Sequence, residues 1–106
     1  MAKIETPKIS EILREEFMIP FNLSSYMLAK KINIPTSRIQ DILHNRRKIT
    51  ADTSIRLAKL FGVSDTFFLN IQNEIDIRHL KHELSDVLTT INPISFNNSI
   101  LKNKDI

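Results

Sequence analysis

Apolar side chains recur along most of this chain at intervals of three and four residues, the period of helices that bury one face. Ile9, Ile12, Leu13 and Phe17 form the first such stripe, with Glu11, Glu15 and Glu16 on the wet side. It predicts a helix that opens at about Ser10 and is stopped by Pro20. Ser24 is placed to cap a second helix over about 25–32, whose inward stripe is Leu28, Ala29 and Ile32. Asn33, which tolerates the left-handed conformation, ends it, and Ile34 turns back into the core. Pro35 and Thr36 open a third helix, since proline's fixed φ suits the first positions of a helix. Ile39, Ile42 and Leu43 face inward there, leaving Ser37, Asp41 and His44 on the opposite side, flanked by Arg38 and Gln40. Asn45 is its left-handed cap.

Thr50 caps a fourth helix with Asp52 in the first turn, where the helix dipole favours an anion. Ile55, Leu57, Ala58, Leu60 and Phe61 supply a broad apolar face, and Gly62, the only glycine, marks the stop. Ser64 is expected to cap a fifth helix carrying Phe67, Phe68, Ile71 and Ile75. A narrower stripe follows. Ile77, Leu80, Leu84, Val87 and Ile91 form a short heptad-like seam, which either packs back on its own core or pairs with another chain. Pro93 ends any helix, and residues 92–106, rich in Asn, Ser and Lys, are expected to be frayed or disordered. The fold class is all-α. The expected organisation is a flexible arm over 1–8, a folded domain over 9–83, and a C-terminal extension over 84–106 that is helical only in its first part.

Composition narrows this further. A chain of 106 residues holds one core and no second domain. One Gly and four Pro are too few turn formers for a fold of many hairpins. The absence of Cys removes disulfide frameworks, thiolate nucleophiles and zinc fingers. No apolar run approaches the roughly 20 residues that span a bilayer. The first residues lack a signal peptide's apolar core, so a cytoplasmic address with no membrane contact is expected. The N-x-S tripeptides at Asn22 and Asn97 are then chance matches.

Charge is unevenly placed. Residues 30–59 carry eight basic and two acidic side chains, whereas both flanks are net acidic. A basic middle suggests a surface that meets a polyanion, with a merely solvated face as the plain alternative. The end of the second helix and all of the third lie in that middle, and the short turn between them has the spacing of a helix-turn-helix.

The stretch from Leu23 to Ala29 and on through Ile34-Pro35-Thr36-Ser37-Arg38-Ile39 resembles the helix-turn-helix of lambda-repressor-like (XRE-type) regulators. Within that family, Glu11-Ile12-Leu13-Arg14-Glu15-Glu16-Phe17 is similar to a stretch of HigA-type antitoxins of toxin–antitoxin modules. So are Ile49-Thr50-Ala51-Asp52-Thr53, Arg56-Leu57-Ala58 and Phe67-Phe68-Leu69-Asn70-Ile71-Gln72. The resemblance covers roughly residues 8–83 and implies a five-helix DNA-binding domain. It departs from the family at three places: Ser25 replaces a usual Gln, and Asn33 and Asn45 replace usual glycines.

The resemblance implies that the third helix enters the major groove of a palindromic operator as part of a homodimer. Thr36 and Ser37 occupy the positions of first contact. Gln40 suits adenine, Arg38 guanine, and Asp41 faces the groove and could accept from cytosine. Arg46, Arg47 and Lys48 run along the backbone, and Ser25, at the start of the second helix, abuts a phosphate. The plain alternatives are an N-cap for Thr36, a solvated or phosphate-bound Arg38, and a solvated loop for the cation run. The fifth helix, through Phe67, Phe68 and Ile71, or the seam from Ile77 through Leu80 and Leu84, is expected to supply the dimer contact; ordinary monomeric core is the alternative, above all for Phe68 and Ile71. The family's antitoxins also cover a cognate toxin, a small ribonuclease, and repress the promoter the two share. A repressor without a toxin, or a protein–protein module that has lost DNA binding, are the competing readings.

No constellation for an enzyme is visible. His79 and His82 have helical metal-pair spacing but lack a recognisable third ligand. One glycine cannot form a phosphate-cradling loop, and no Ser sits in a nucleophile context. No metal or cofactor is expected.

Overall fold

The computed structural model describes residues 6–95, which are all helical apart from their connections. Residues 1–5 of the expected arm and 96–106 of the expected tail lie outside the described residues. The elements are α1 (Ile9–Ile12), continued without a break by a π-helical stretch (Leu13–Met18), then α2 (Ser25–Lys31), α3 (Thr36–Leu43), α4 (Ala51–Phe61), α5 (Phe67–Glu83) and α6 (Ser85–Leu88).

The first stripe does form a helix, but its second half is wound more widely than the sequence predicts. Ile19 N–H donates to Arg14 O at 2.9 Å and Leu23 N–H to Met18 O at 2.8 Å, both spanning five residues. The wider turn brings Leu13 and Met18 inward together, both buried, with Phe17 between them. The Phe17 ring centroid lies 4.9 Å from Phe61, 5.8 Å from Phe67 and 5.0 Å from Phe68. These tilted and edge-on contacts are the arrangement that ring quadrupoles favour. They join the first helix to the end of α4 and the start of α5.

The rest of the core follows the predicted stripes. Leu28, Ala29 and Ile32 of α2, Ile39, Ile42 and Leu43 of α3, Leu57 and Ala58 of α4 and Phe68 of α5 are all buried. Ser24 Oγ accepts from Met27 N–H at 3.1 Å, and Thr50 Oγ1 from Thr53 N–H at 3.3 Å, so both predicted caps are formed. Gly62 ends α4 at φ +72°.

Two predictions fail locally. Ser64 does not cap α5; Thr66 holds that position without a side-chain bond. Residues 64–67 form a turn in which Phe67 N–H donates to Ser64 O at 3.0 Å, and buried Ser54 Oγ of α4 donates to Asp65 O at 2.7 Å. Ile55 and Leu60 do not join the buried face of α4, because the stripe centred on Leu57 is completed by Thr53, Ser54 and Ala58. The seam from Ile77 is divided between two helices: Ile77 and Leu80 lie on α5, Leu84 is its C-terminal cap, and Val87 lies on α6.

The connector between α3 and α4 has no helical bonds of its own, yet Ile49 is buried within it. Its backbone polar groups therefore need partners. Gln72, itself buried on α5, supplies both. Ile49 N–H donates to Gln72 Oε1 and Gln72 Nε2 donates to Ile49 O, each at 2.8 Å. Replacing Gln72 by Ala strands two buried backbone groups. Gln72→Ala should lower unfolding stability by about 2–4 kcal/mol in urea titration, well beyond a typical surface change.

Candidate nucleic-acid interface

Helices α2 and α3 meet through a turn in which Asn33 takes the left-handed conformation at φ +60°. Ile34 N–H donates to Ala29 O at 3.0 Å, closing the end of α2. The turn is also held from outside. Arg56 Nη1, on α4, donates to Ile32 O at 2.8 Å and Asn33 O at 3.1 Å. Nothing in the spacing around Arg56 points to this role.

Pro35, not Thr36, occupies the cap position of α3, so Thr36 is the first helical residue. With Ile39, Ile42 and Leu43 buried, the outer face of this eight-residue helix is set by geometry. Ser37 and Gln40 are exposed on it, while Thr36, Arg38 and Asp41 are half-buried. His44 follows at the C-terminal cap, its Nδ1 2.7 Å from Gln40 O.

The chain past α3 folds back onto the helix end. Arg46 N–H and Arg47 N–H both donate to Asp41 O, at 2.8 and 3.2 Å. Arg46 Nη2 lies 3.0 Å from Asp41 Oδ1. The cationic connector and the outer face of α3 thus share one surface. Asp41 is engaged with Arg46 rather than standing alone in front of that face. Lys48 pairs with Asp76 of α5, and Arg38 Nη1 lies 3.4 Å from Asp52 Oδ1, which also accepts from Arg56 Nε at 2.7 Å. Arg47 is exposed and makes no ion pair among the described residues. Ser25, the first residue of α2, is half-buried.

The residues expected at a dimer contact fall into two places. Phe67 packs edge-on against Phe17 and Phe68 of its own chain. Ile77, Leu80 and Leu84 lie open to solvent at 56%, 50% and 41%, continuing into exposed Val87, Leu88 and Ile91. His79 and His82 are exposed, and no group of three side chains able to hold a metal occurs among the described residues. No helix there is long and apolar enough to cross a membrane.

Asn45, at φ +62°, follows the end of α3 and also accepts from buried Ser10 Oγ at 2.8 Å. Asn33 has the same backbone but no side-chain bond of this kind. The two asparagines should therefore respond oppositely to glycine. Asn33→Gly should stabilise the fold by a few tenths of a kcal/mol through relief of the left-handed strain. Asn45→Gly should destabilise it by about 1–2 kcal/mol by orphaning the Ser10 hydroxyl. Thermal melts of the two single variants measure both signs.

A family model described as helix-turn-helix matches residues 13–68, which include all of α2, α3 and α4. The chain is 39% identical over 87 residues to virulence-associated protein I of Dichelobacter nodosus, covering 80% of this chain and 81% of that protein. Among solved structures it resembles a HigA-family addiction module antidote protein from Coxiella burnetii, at 37% identity and a TM-score of 0.77, over 86% of this chain and all of the other. It also resembles PA4674 of Pseudomonas aeruginosa, solved in complex with its operator DNA, at 29% identity and a TM-score of 0.80, over 87% of this chain and all of the other.

Proposed function

The chain belongs to the XRE-type helix-turn-helix family, in its HigA-like branch, and on that premise we propose that it is a sequence-specific DNA-binding antitoxin. It acts as a homodimer on a palindromic operator, represses the promoter shared with its toxin, and neutralises that toxin, a small ribonuclease, in the cytoplasm. The observation that carries the DNA-binding half is that the outer face of α3 and the cationic connector meet: Ser37 and Gln40 are exposed on α3, and Asp41 of the same helix binds Arg46 of the connector. The likeness to PA4674, a protein solved with its operator, supports the same reading.

The roles divide by chemistry. Thr36 and Ser37 offer hydroxyls to the first bases, Gln40 makes a bidentate pair with adenine, and Arg38 addresses guanine. Asp41 borders this set while holding Arg46. Arg46, Arg47, Lys48 and Ser25 lie against the sugar–phosphate backbone, which positions the helix without reading sequence. The exposed stripe of Ile77, Leu80 and Leu84 joins two copies, as a palindrome requires.

Footprinting on the region upstream of the coding sequence tests the division of labour. Arg38→Ala and Gln40→Ala should relax sequence preference, each by about 1–3 kcal/mol of discrimination. Arg47→Ala should weaken all duplexes alike and flatten the salt slope by about one per chain. Equal, sequence-blind losses from both sets would refute the assignment. Leu80→Asp should shift the chain from dimer to monomer in sedimentation equilibrium while leaving its helical circular dichroism in place. A pull-down from native extract separates an antitoxin from a repressor without a toxin. The antitoxin retains a small ribonuclease, and the plain repressor does not.

A further inference from the structure

Three of the four cations that the DNA reading uses are already held by carboxylates of their own chain. Asp41 of α3 holds Arg46, Asp52 of α4 holds Arg38, and Asp76 of α5 holds Lys48. Three different helices contribute one acid each, and the cations they meet lie within an eleven-residue span, 38–48. Only Arg47 stands outside these pairs among the described residues. A carboxylate oxygen offers a guanidinium or ammonium the same charge-assisted bond that a phosphate oxygen does. All three pairs are also partly open to water, so each is weak and can be exchanged.

We propose that Asp41, Asp52 and Asp76 stand in for phosphate in the free protein and keep Arg46, Arg38 and Lys48 off DNA that lacks matching bases. The proposal rests on the DNA-binding reading above. Association with random sequence is driven almost entirely by cations that displace counterions from phosphate. A cation already satisfied by its own carboxylate gains little from that exchange. An operator adds base contacts at Arg38 and Gln40, which offset the opening of the pairs. Asp52 is the most exposed of the three acids, but it has a second cation partner, because Arg56 Nε binds it at 2.7 Å while Arg56 Nη1 grips the turn between α2 and α3. It therefore acts as a positioning residue for Arg38, which it touches at 3.4 Å. Asp76 brings α5 into a surface that sequence order alone would not include.

The test is binding of the full chain to a labelled random-sequence duplex by fluorescence anisotropy, between about 50 and 200 mM salt, the range in which phosphate contacts are most visible. The triple variant Asp41→Asn/Asp52→Asn/Asp76→Asn should bind about ten- to a hundred-fold tighter at the low end, as weak pairs of this kind allow. Its salt slope should steepen by about two to three per chain. The double variant Asp41→Asn/Asp76→Asn leaves Asp52 and the start of α4 intact, and should steepen the slope by about two even if the triple variant folds poorly. A charge-matched control, Glu15→Gln/Glu16→Gln/Glu83→Gln, alters exposed acids that make no ion pair among the described residues. It should change the slope by less than about one. An equal gain in the control would reduce the effect to net charge and overturn the proposal. So would an unchanged double variant in a protein that binds its own upstream region. Absence of binding to any duplex, by wild type and variants alike, would overturn the DNA-binding reading and the proposal with it.

Discussion

Everything about the exposed surface follows from the burial of Ile39 and Ile42. An eight-residue helix has room for one apolar stripe, and on α3 these two residues, with Leu43, occupy it completely. Once they are sealed against α2 and the first helix, rotation of the helix about its axis is no longer free. The residues left over, Ser37 and Gln40 foremost, must face outward whatever else the chain does. A surface able to read a sequence needs such a fixed register, because a side chain misplaced by a fraction of a turn meets the wrong base edge.

The neighbouring elements act as clamps on that register. Arg56 reaches from α4 to two carbonyls in the turn before α3. Gln72 reaches from α5 to the backbone of Ile49 in the connector after it. Both ends of the recognition helix are thus tied to the two helices that follow it in sequence. The aromatic cluster around Phe17 then ties those helices to the first one. The positive φ at Asn33 and Asn45 places the necessary bends between these clamps.

What could be read in advance divides along the range of the interactions. The caps at Ser24 and Thr50, the stop at Gly62 and the bends at Asn33 and Asn45 depend on a few adjacent residues, and a sequence displays those directly. The inward stripes of α2 and α3 are legible for the same reason. The π-helical stretch is not, because Ile9, Ile12, Leu13 and Phe17 fit an α-helix well, and the extra residue shows only when Met18 is buried beside Leu13. Gln72, Arg56 and Asp76 act on residues more than 20 positions away, and a polar residue on a helix carries no mark of a distant partner. At Ser64 the residue type suits a cap, but its carbonyl instead closes a turn with Phe67 N–H and α5 starts later. The outer face of α3 was legible, but the acids that occupy its cations were not.

The hydrogen bond between Ser10 and Asn45 links the opening of the chain to the end of the recognition helix, across 35 positions. It makes a left-handed asparagine the better choice where a glycine would be the easier one. The benefit exists only while a hydroxyl is buried at position 10. The two sites are therefore one unit in energy: a substitution at either leaves a buried polar group or a strained asparagine at the other, so the pair tolerates joint replacement better than single ones.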